Sequence, residues 1–179
     1  NGFDFAKSTS LNKKIAHSCL TQVKKEGSDS RILEADNNNS LALLSIYKDR
    51  NAPFFKELSK TLKAPAFEIE QTKPVFFKEE ISKYGTLLIS LFVPKAKPLN
   101  NFDIEPEILI YLGELLKTKS CILYLFGNPY VLQVIPNLDF AKEIVVAYQD
   151  FEVFQEVAAA HLAQNLQYSG QLPVAIKNL

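Results

Sequence analysis

Thr86-Leu87-Leu88-Ile89-Ser90-Leu91-Phe92 is the stretch that decides the fold of this chain. Five of its seven side chains are apolar, in runs rather than in strict alternation. A strand with one wet face alternates; a strand that does not is covered on both faces, as in a parallel sheet flanked by helices. The same kind of signal recurs on either side. Residues 41–47, 66–70, 120–126 and 143–148 read as further strands, and residues 172–176 as a short closing strand. Pro173 cannot donate to a ladder, so that last strand is expected at an edge.

Amphipathic stretches fill the gaps. Ser10 caps an expected helix running to about Glu26, with Leu11, Ile15, Cys19 and Val23 on one stripe. Pro53 opens a helix that buries Phe54, Phe55, Leu58 and Leu62. Pro74 opens another, with Phe77, Ile81 and Tyr84 inward and Gly85 as its breaker. Asp103 caps a helix to about Thr118 that buries Ile108, Leu112, Leu115 and Leu116. Asp150 caps the last one, to about Asn165, with Phe154, Ala158 and Leu162 aligned. Strand starts at such intervals fit βα units joined by right-handed crossovers. The expected fold class is α/β: a three-layer α/β/α sandwich with a mostly parallel sheet of five or six strands and helices on both faces. One domain is expected over residues 1–179, without internal repeats.

Composition narrows the functional classes. The 179 residues hold 20 basic and 20 acidic side chains, for a net charge of zero. A general nucleic-acid binder would show a basic excess. Residues 1–35 carry six basic and four acidic groups, and residues 134–179 two and five, too slight a segregation to imply a polyanion partner. The longest apolar run, residues 86–93, is strand-sized, far from the roughly 20 residues a membrane span needs. The chain contains no Met, so it is expected to be a processed product or a piece of a longer protein. Cys19 and Cys121, far apart and among apolar neighbours, are expected to be buried free thiols. No cofactor or metal motif is present.

Catalytic constellations are sparse. Adjacent Glu79 and Glu80 cannot converge on a bond, since helical neighbours diverge by about 100°. Asp103, Glu105 and Glu107 cluster at a helix start, where the dipole favours carboxylates. His17 and His161, the two histidines, both fall on expected helices without a nucleophile in reach. No glycine-rich phosphate loop follows the first strand; Lys48, Asp49, Arg50 and Asn51 stand there instead. One segment stands out, Phe126-Gly127-Asn128-Pro129-Tyr130-Val131-Leu132, which leaves a buried strand through a tight turn. In open α/β sheets ligands sit at the carboxyl ends of the strands. Asn128 and Tyr130 belong there, with Gln149 and Asp150 after the 143–148 strand and Lys48 and Asp49 after the 41–47 strand. These six are the candidate ligand-facing or partner-facing edge. The alternative is that Gly127 and Pro129 shape the turn while Tyr130 packs.

Residues 125–132, Leu-Phe-Gly-Asn-Pro-Tyr-Val-Leu, resemble the F-G-N-P-Y-x-L motif of glycoside hydrolase family 3 C-terminal domains, of the bacterial β-N-acetylglucosaminidase type found in Bacteroidetes-like enzymes. Residues 145–150, Val-Val-Ala-Tyr-Gln-Asp, are similar to that family's V-V-A-Y-Q-[ND]. Gly170-Gln171-Leu172-Pro173-Val174 is similar to its G-[KR]-L-P-V closing strand, and Leu20-Thr21 with Val23-Lys24 to its S-I-T-L-[LV]-K-N. The family's glycine after the last helix is missing here, and Asn165 is expected to cap in its place. The resemblance implies a preceding (β/α)8 barrel that carries the catalytic residues; a barrel needs roughly 250 residues, so this chain cannot hold one. It therefore implies no catalytic residue here. It implies a non-catalytic domain that packs on the barrel and shapes a sugar site, with N-acetylglucosamine-containing glycans as substrates of the whole enzyme and a periplasmic or secreted location. Self-association through the barrel-docking face is expected. The alternative is a free-standing carbohydrate- or protein-binding module.

Overall fold

The computed structural model describes residues 5–27, 31–70, 78–173 and 175–176. Six strands alternate with helices along the chain. In order these are α1 (Phe5–Cys19), β1 (Thr21–Lys25), α2 (Arg31–Asn37), β2 (Leu41–Ile46), α3 (Pro53–Leu58), β3 (Ala66–Ile69), α4 (Lys78–Ser82), β4 (Thr86–Phe92), α5 (Pro106–Thr118), β5 (Ser120–Phe126), β6 (Glu143–Val146) and α6 (Glu152–Gln164). The strands form one sheet in the order β1-β6-β5-β4-β2-β3. All neighbours are parallel except β1, which runs antiparallel to β6. The expected α/β/α sandwich is what forms.

Two apolar layers sandwich the sheet, as continuous apolar strands require. Leu87, Ile89 and Leu91 of β4 join Leu123 of β5 and Ile144 of β6 on one face, packed by α5 through Ile108, Leu112 and Leu116. Leu88 and Phe92 turn to the other face, where α1, α3 and α6 cover Tyr124 and Phe126. Phe54 of α3 lies 5.0 Å from the Tyr124 ring and 5.2 Å from Phe126, and Phe92 stacks on Phe126 at 4.6 Å. Ser45, Ser90 and Tyr124 are partners in one cross-sheet row. The two serines are fully buried and small beside the large ring, but their hydroxyls find no hydrogen-bond partner.

The structure corrects the sequence reading at both ends. The helix expected to run to Glu26 stops at Cys19, and Thr21–Lys25 becomes the antiparallel edge strand. Ser10 lies inside α1 rather than capping it. Of the stripe expected inward, Leu11 (58%) and Ile15 (42%) are exposed while Cys19 and Val23 pack partly buried against the core, and Ala16 and Leu20 are buried. A small Ala at position 16 lets α1 approach α6 closely, and the larger side chains then face away. The closing strand expected over residues 172–176 does not form among the described residues. Strand β1 already occupies that edge, and Pro173 has no N–H to offer a ladder. The segment is instead tied by the Gly170 N–H to the Leu20 carbonyl (3.0 Å) and by the Tyr148 hydroxyl to the Gln171 carbonyl (3.4 Å). A Cβ at Gly170 would sit 2.4 Å from the Cys19 carbonyl oxygen, so this crossing needs glycine. Pro74 and Phe77 lie outside the described residues; Ile81 of that helix is buried as expected. Cys121 is buried and Cys19 only partly so.

Candidate functional site

The carboxyl ends of β2, β4, β5 and β6 lie side by side, and the chain leaves them through strained turns. Tyr47 (φ 66°) follows β2, Asn100, Asn101, Phe102 and Asp103 (φ 52–62°) lie in the loop after β4, Gly127 (φ 140°) follows β5 and Tyr148 (φ 62°) follows β6. Non-glycine residues rarely take this left-handed conformation, and each such residue costs on the order of 1–3 kcal/mol. Side chains hold the turns in place. The Tyr47 hydroxyl accepts from the Glu105 N–H at 2.9 Å and donates to the Glu105 carboxylate. The Tyr148 hydroxyl meets Thr21 Oγ1 at 3.0 Å. Phe102 is buried as an anchor, and Asp103 pairs with Lys95. Gly127 is required twice over, since a Cβ there would sit 2.6 Å from the Val93 Cβ and φ is positive.

The six candidate residues fall at this edge in two groups. Lys48 Nζ bonds Asp150 Oδ2 at 3.1 Å and lies 5.5 Å from the centre of the Phe92 ring. Asp49 Oδ1 accepts from the Asn51 N–H, and the Gln149 N–H donates to the Ala147 carbonyl. Asn128 Oδ1 accepts from the Tyr130 N–H at 3.0 Å, and Asn128 Nδ2 donates to the Ala96 carbonyl at 2.8 Å. No bond among these joins the Asn128 group to the Lys48–Asp150 pair. Tyr130 is 46% exposed, not packed. Leu99 (71%) and Phe151 (62%), in the loops after β4 and β6, are also open to solvent. Two expected caps are put to other use. Helix α5 starts at Pro106 behind Glu105, leaving Asp103 to Lys95, and α6 starts behind Phe151 without a side-chain cap, leaving Asp150 to Lys48. Asn165 caps the end of α6 in the left-handed conformation (φ 52°), as expected.

Of the carboxylates at this edge, Asp49 holds backbone, Asp103 and Asp150 pair with lysines, and Glu105 accepts from the Tyr47 hydroxyl. Among the described residues no set of three His, Cys, Asp or Glu side chains could hold a metal ion.

A second cluster, invisible in the sequence, lies at the amino end of the sheet. A cavity of 270 Å³ opens there, its floor formed by Thr86, Ser120 and Glu143, the first residues of β4, β5 and β6. His161 of α6 lines it, is 4% exposed, and holds His17 of α1 with 2.8 Å between ring nitrogens. Burial pulls the His161 pKa down and the neighbouring His17 adds to this, with the Leu166 backbone opposing. Burial pushes the Glu143 carboxyl up, against a 2.8 Å hydrogen bond from Gln22 and the charge of Lys25. Tyr124 and Tyr168 share a 2.5 Å hydroxyl contact, and burial raises both pKa values. His17 and His161 stand 144 positions apart, so only the packing of α1 on α6 brings them together.

No family model matches this sequence, and no curated protein matches it. Solved structures do. A family 3 β-N-acetylglucosaminidase from Paenibacillus aligns with 97% of this chain at a TM-score of 0.69 and 13% identity, using 33% of its own length. A fungal multi-domain β-N-acetylglucosaminidase of the same family aligns with 100% at 0.76 and 14%, using 21% of its length. The β-glucoside phosphorylase BglX aligns with 94% at 0.67 and 16%, using 32%. The chain thus spans a third or less of each of these three structures, and it has the fold of that portion of glycoside hydrolase family 3 proteins.

Proposed function

We propose that this chain is the single-domain, C-terminal α/β part of a β-N-acetylglucosaminidase-like enzyme of glycoside hydrolase family 3, and that it packs on a catalytic barrel without itself cleaving the sugar bond. The observation that carries this reading is the match of nearly the whole chain to only 21–33% of such enzymes. The sequence motifs after β5 and β6 support it independently, because they fall on the loops of one sheet edge. That edge is the proposed docking and sugar-shaping face. Its turns are strained, its exposed apolar residues Leu99, Tyr130 and Phe151 are out of place on a free surface, and Asn128, Gln149 and the Lys48–Asp150 pair add polar contacts. Its role is to exclude water beside the glycan and to fix loops, while the barrel supplies the acid, base and nucleophile.

The test is an assay of the purified chain on an aryl N-acetylglucosaminide. No turnover above a blank is expected. Turnover that disappears in Asn128→Ala or Asp150→Asn would place the chemistry in this chain and end the reading. The bare face is also expected to make the chain self-associate, and Phe151→Ser with Leu99→Ser to disperse it, which sedimentation reads directly.

A further inference from the structure

We infer that the cavity at the amino end of the sheet is a second binding site, separate from the carboxyl edge, for one small neutral polyhydroxylated molecule of about a single sugar ring. The cavity lies between the starts of β4, β5 and β6, β1, Ile32 of α2, and the end of α6 with the turn that follows it. Its 270 Å³ would hold about nine waters. It falls just below the roughly 300–1,000 Å³ of pockets for drug-sized ligands, so the occupant is smaller than those.

The lining selects the chemistry. The charged groups there cancel, two lysines (Lys25, Lys142) against two glutamates (Glu26, Glu143). Glu26 is already engaged by Lys24 and Lys142 at 2.9 Å each, and Glu143 Oε1 by Gln22. An ionic ligand would have to displace these partners. What remains is a set of neutral donors and acceptors. The side chains of Thr86, Ser120, Asn165 and Gln167 line the space and make no hydrogen bond among the described residues. The buried His161 adds a ring nitrogen, Nδ1, that reaches no hydrogen-bond partner at normal geometry, although the Leu166 backbone lies near enough to favour its charged form. A buried polar atom left in this state is costly, and a ligand hydroxyl would satisfy it. Ile32, Ile122 and Leu162 offer an apolar surface for the ring's C–H groups. Hydroxyls around a C–H ring are what these groups complement together.

The site can be tested by following the His161 ring resonances during titration with glucose, with N-acetylglucosamine, and with inorganic phosphate and glycine as charged probes. A saturable shift with a neutral sugar is expected, with no saturable shift from phosphate or glycine. Ser120→Ala and Gln167→Ala should each weaken binding about fivefold or more. Neither side chain is hydrogen-bonded, so both variants should keep the wild-type backbone spectrum. Glu107→Ala, at the exposed start of α5 and in neither site, should bind as the parent does. The inference is overturned by no saturable shift with either sugar, by preference for phosphate or glycine, by unchanged affinity in both cavity variants, or by loss in Glu107→Ala. It does not rest on the barrel-docking reading, which can stand or fall alone.

Discussion

The two ends of this sheet differ in kind. At the carboxyl end the backbone is strained, aromatic and aliphatic side chains lie open, and the polar groups are spent on turns and on one lysine–aspartate pair. At the amino end a cavity opens beside the left-handed Asn165 (φ 52°), and the polar groups around it are paired with one another or left without a hydrogen bond. Ligands of open α/β sheets gather at the carboxyl end. Here that end is the proposed docking face, and the enclosed polar space is at the other. Strain at one end has to be held by packing beneath it, and the Phe54, Phe92 and Phe126 rings supply that packing.

The largest way to break this contrast is to remove the support. Phe54→Ala, a fully buried ring touching Tyr124 and Phe126, is expected to cost about 3–5 kcal/mol in urea denaturation. Gln167→Ala at the exposed rim of the cavity should stay within about 0.5 kcal/mol. Similar costs for the two would mean that the ends are not held differently.

Glycines sharpen it next. Gly127→Ala at the carboxyl end forces a Cβ into Val93 at positive φ and should cost about 1–3 kcal/mol or more. Gly85→Ala, just before β4 at the amino end, meets nothing within 4 Å; it should be neutral or stabilise by about 0.4–1 kcal/mol.

Acid should act on the amino end first. The His161 pKa is depressed in the folded chain, so the unfolded chain binds that proton more readily. The stability linked to this histidine is present above its ordinary value of 6.5 and is lost as pH falls through the lowered one. His161→Gln should remove that slope from the urea midpoint. Glu143 runs the other way: its pKa is raised from 4.5, so its contribution is present below that value and is lost as pH rises through the raised one. Glu143→Gln should therefore flatten the opposite slope. Equal pH profiles in parent and variants would show these groups to be solvated. The smallest effect is expected in the sheet's middle. Ser90→Ala deletes a buried hydroxyl with no partner, so it should be neutral or stabilise by up to about 1 kcal/mol.

Strands β2, β4, β5 and β6 were legible because burial on both faces demands apolar runs, and such runs survive at any sequence distance. Strand β1 was not. Thr21-Gln22-Val23-Lys24-Lys25 is half-buried and polar, and Val23 continues the i+4 spacing of Leu11, Ile15 and Cys19, so helical periodicity ran on through a strand. That same spacing pointed to the wrong face of α1, where contact with α6 selects a small Ala16 rather than the larger side chains. Asp103 and Asp150 have the composition of caps, but Lys95 and Lys48 take them, the latter across 102 positions. The candidate edge was legible in its turns: Gly127 and Asn128 do what their residue types announce. The amino-end cavity was not legible, because it is made of strand starts, a helix end and β1, brought together only by the sheet order.

The proposal that this chain belongs to a larger glycosidase is tested most directly by the mass of the intact natural polypeptide, detected with an antibody raised against these residues. A protein at least about 250 residues longer is expected, enough for a catalytic barrel. A polypeptide of 20.2 kDa and nothing larger would contradict it.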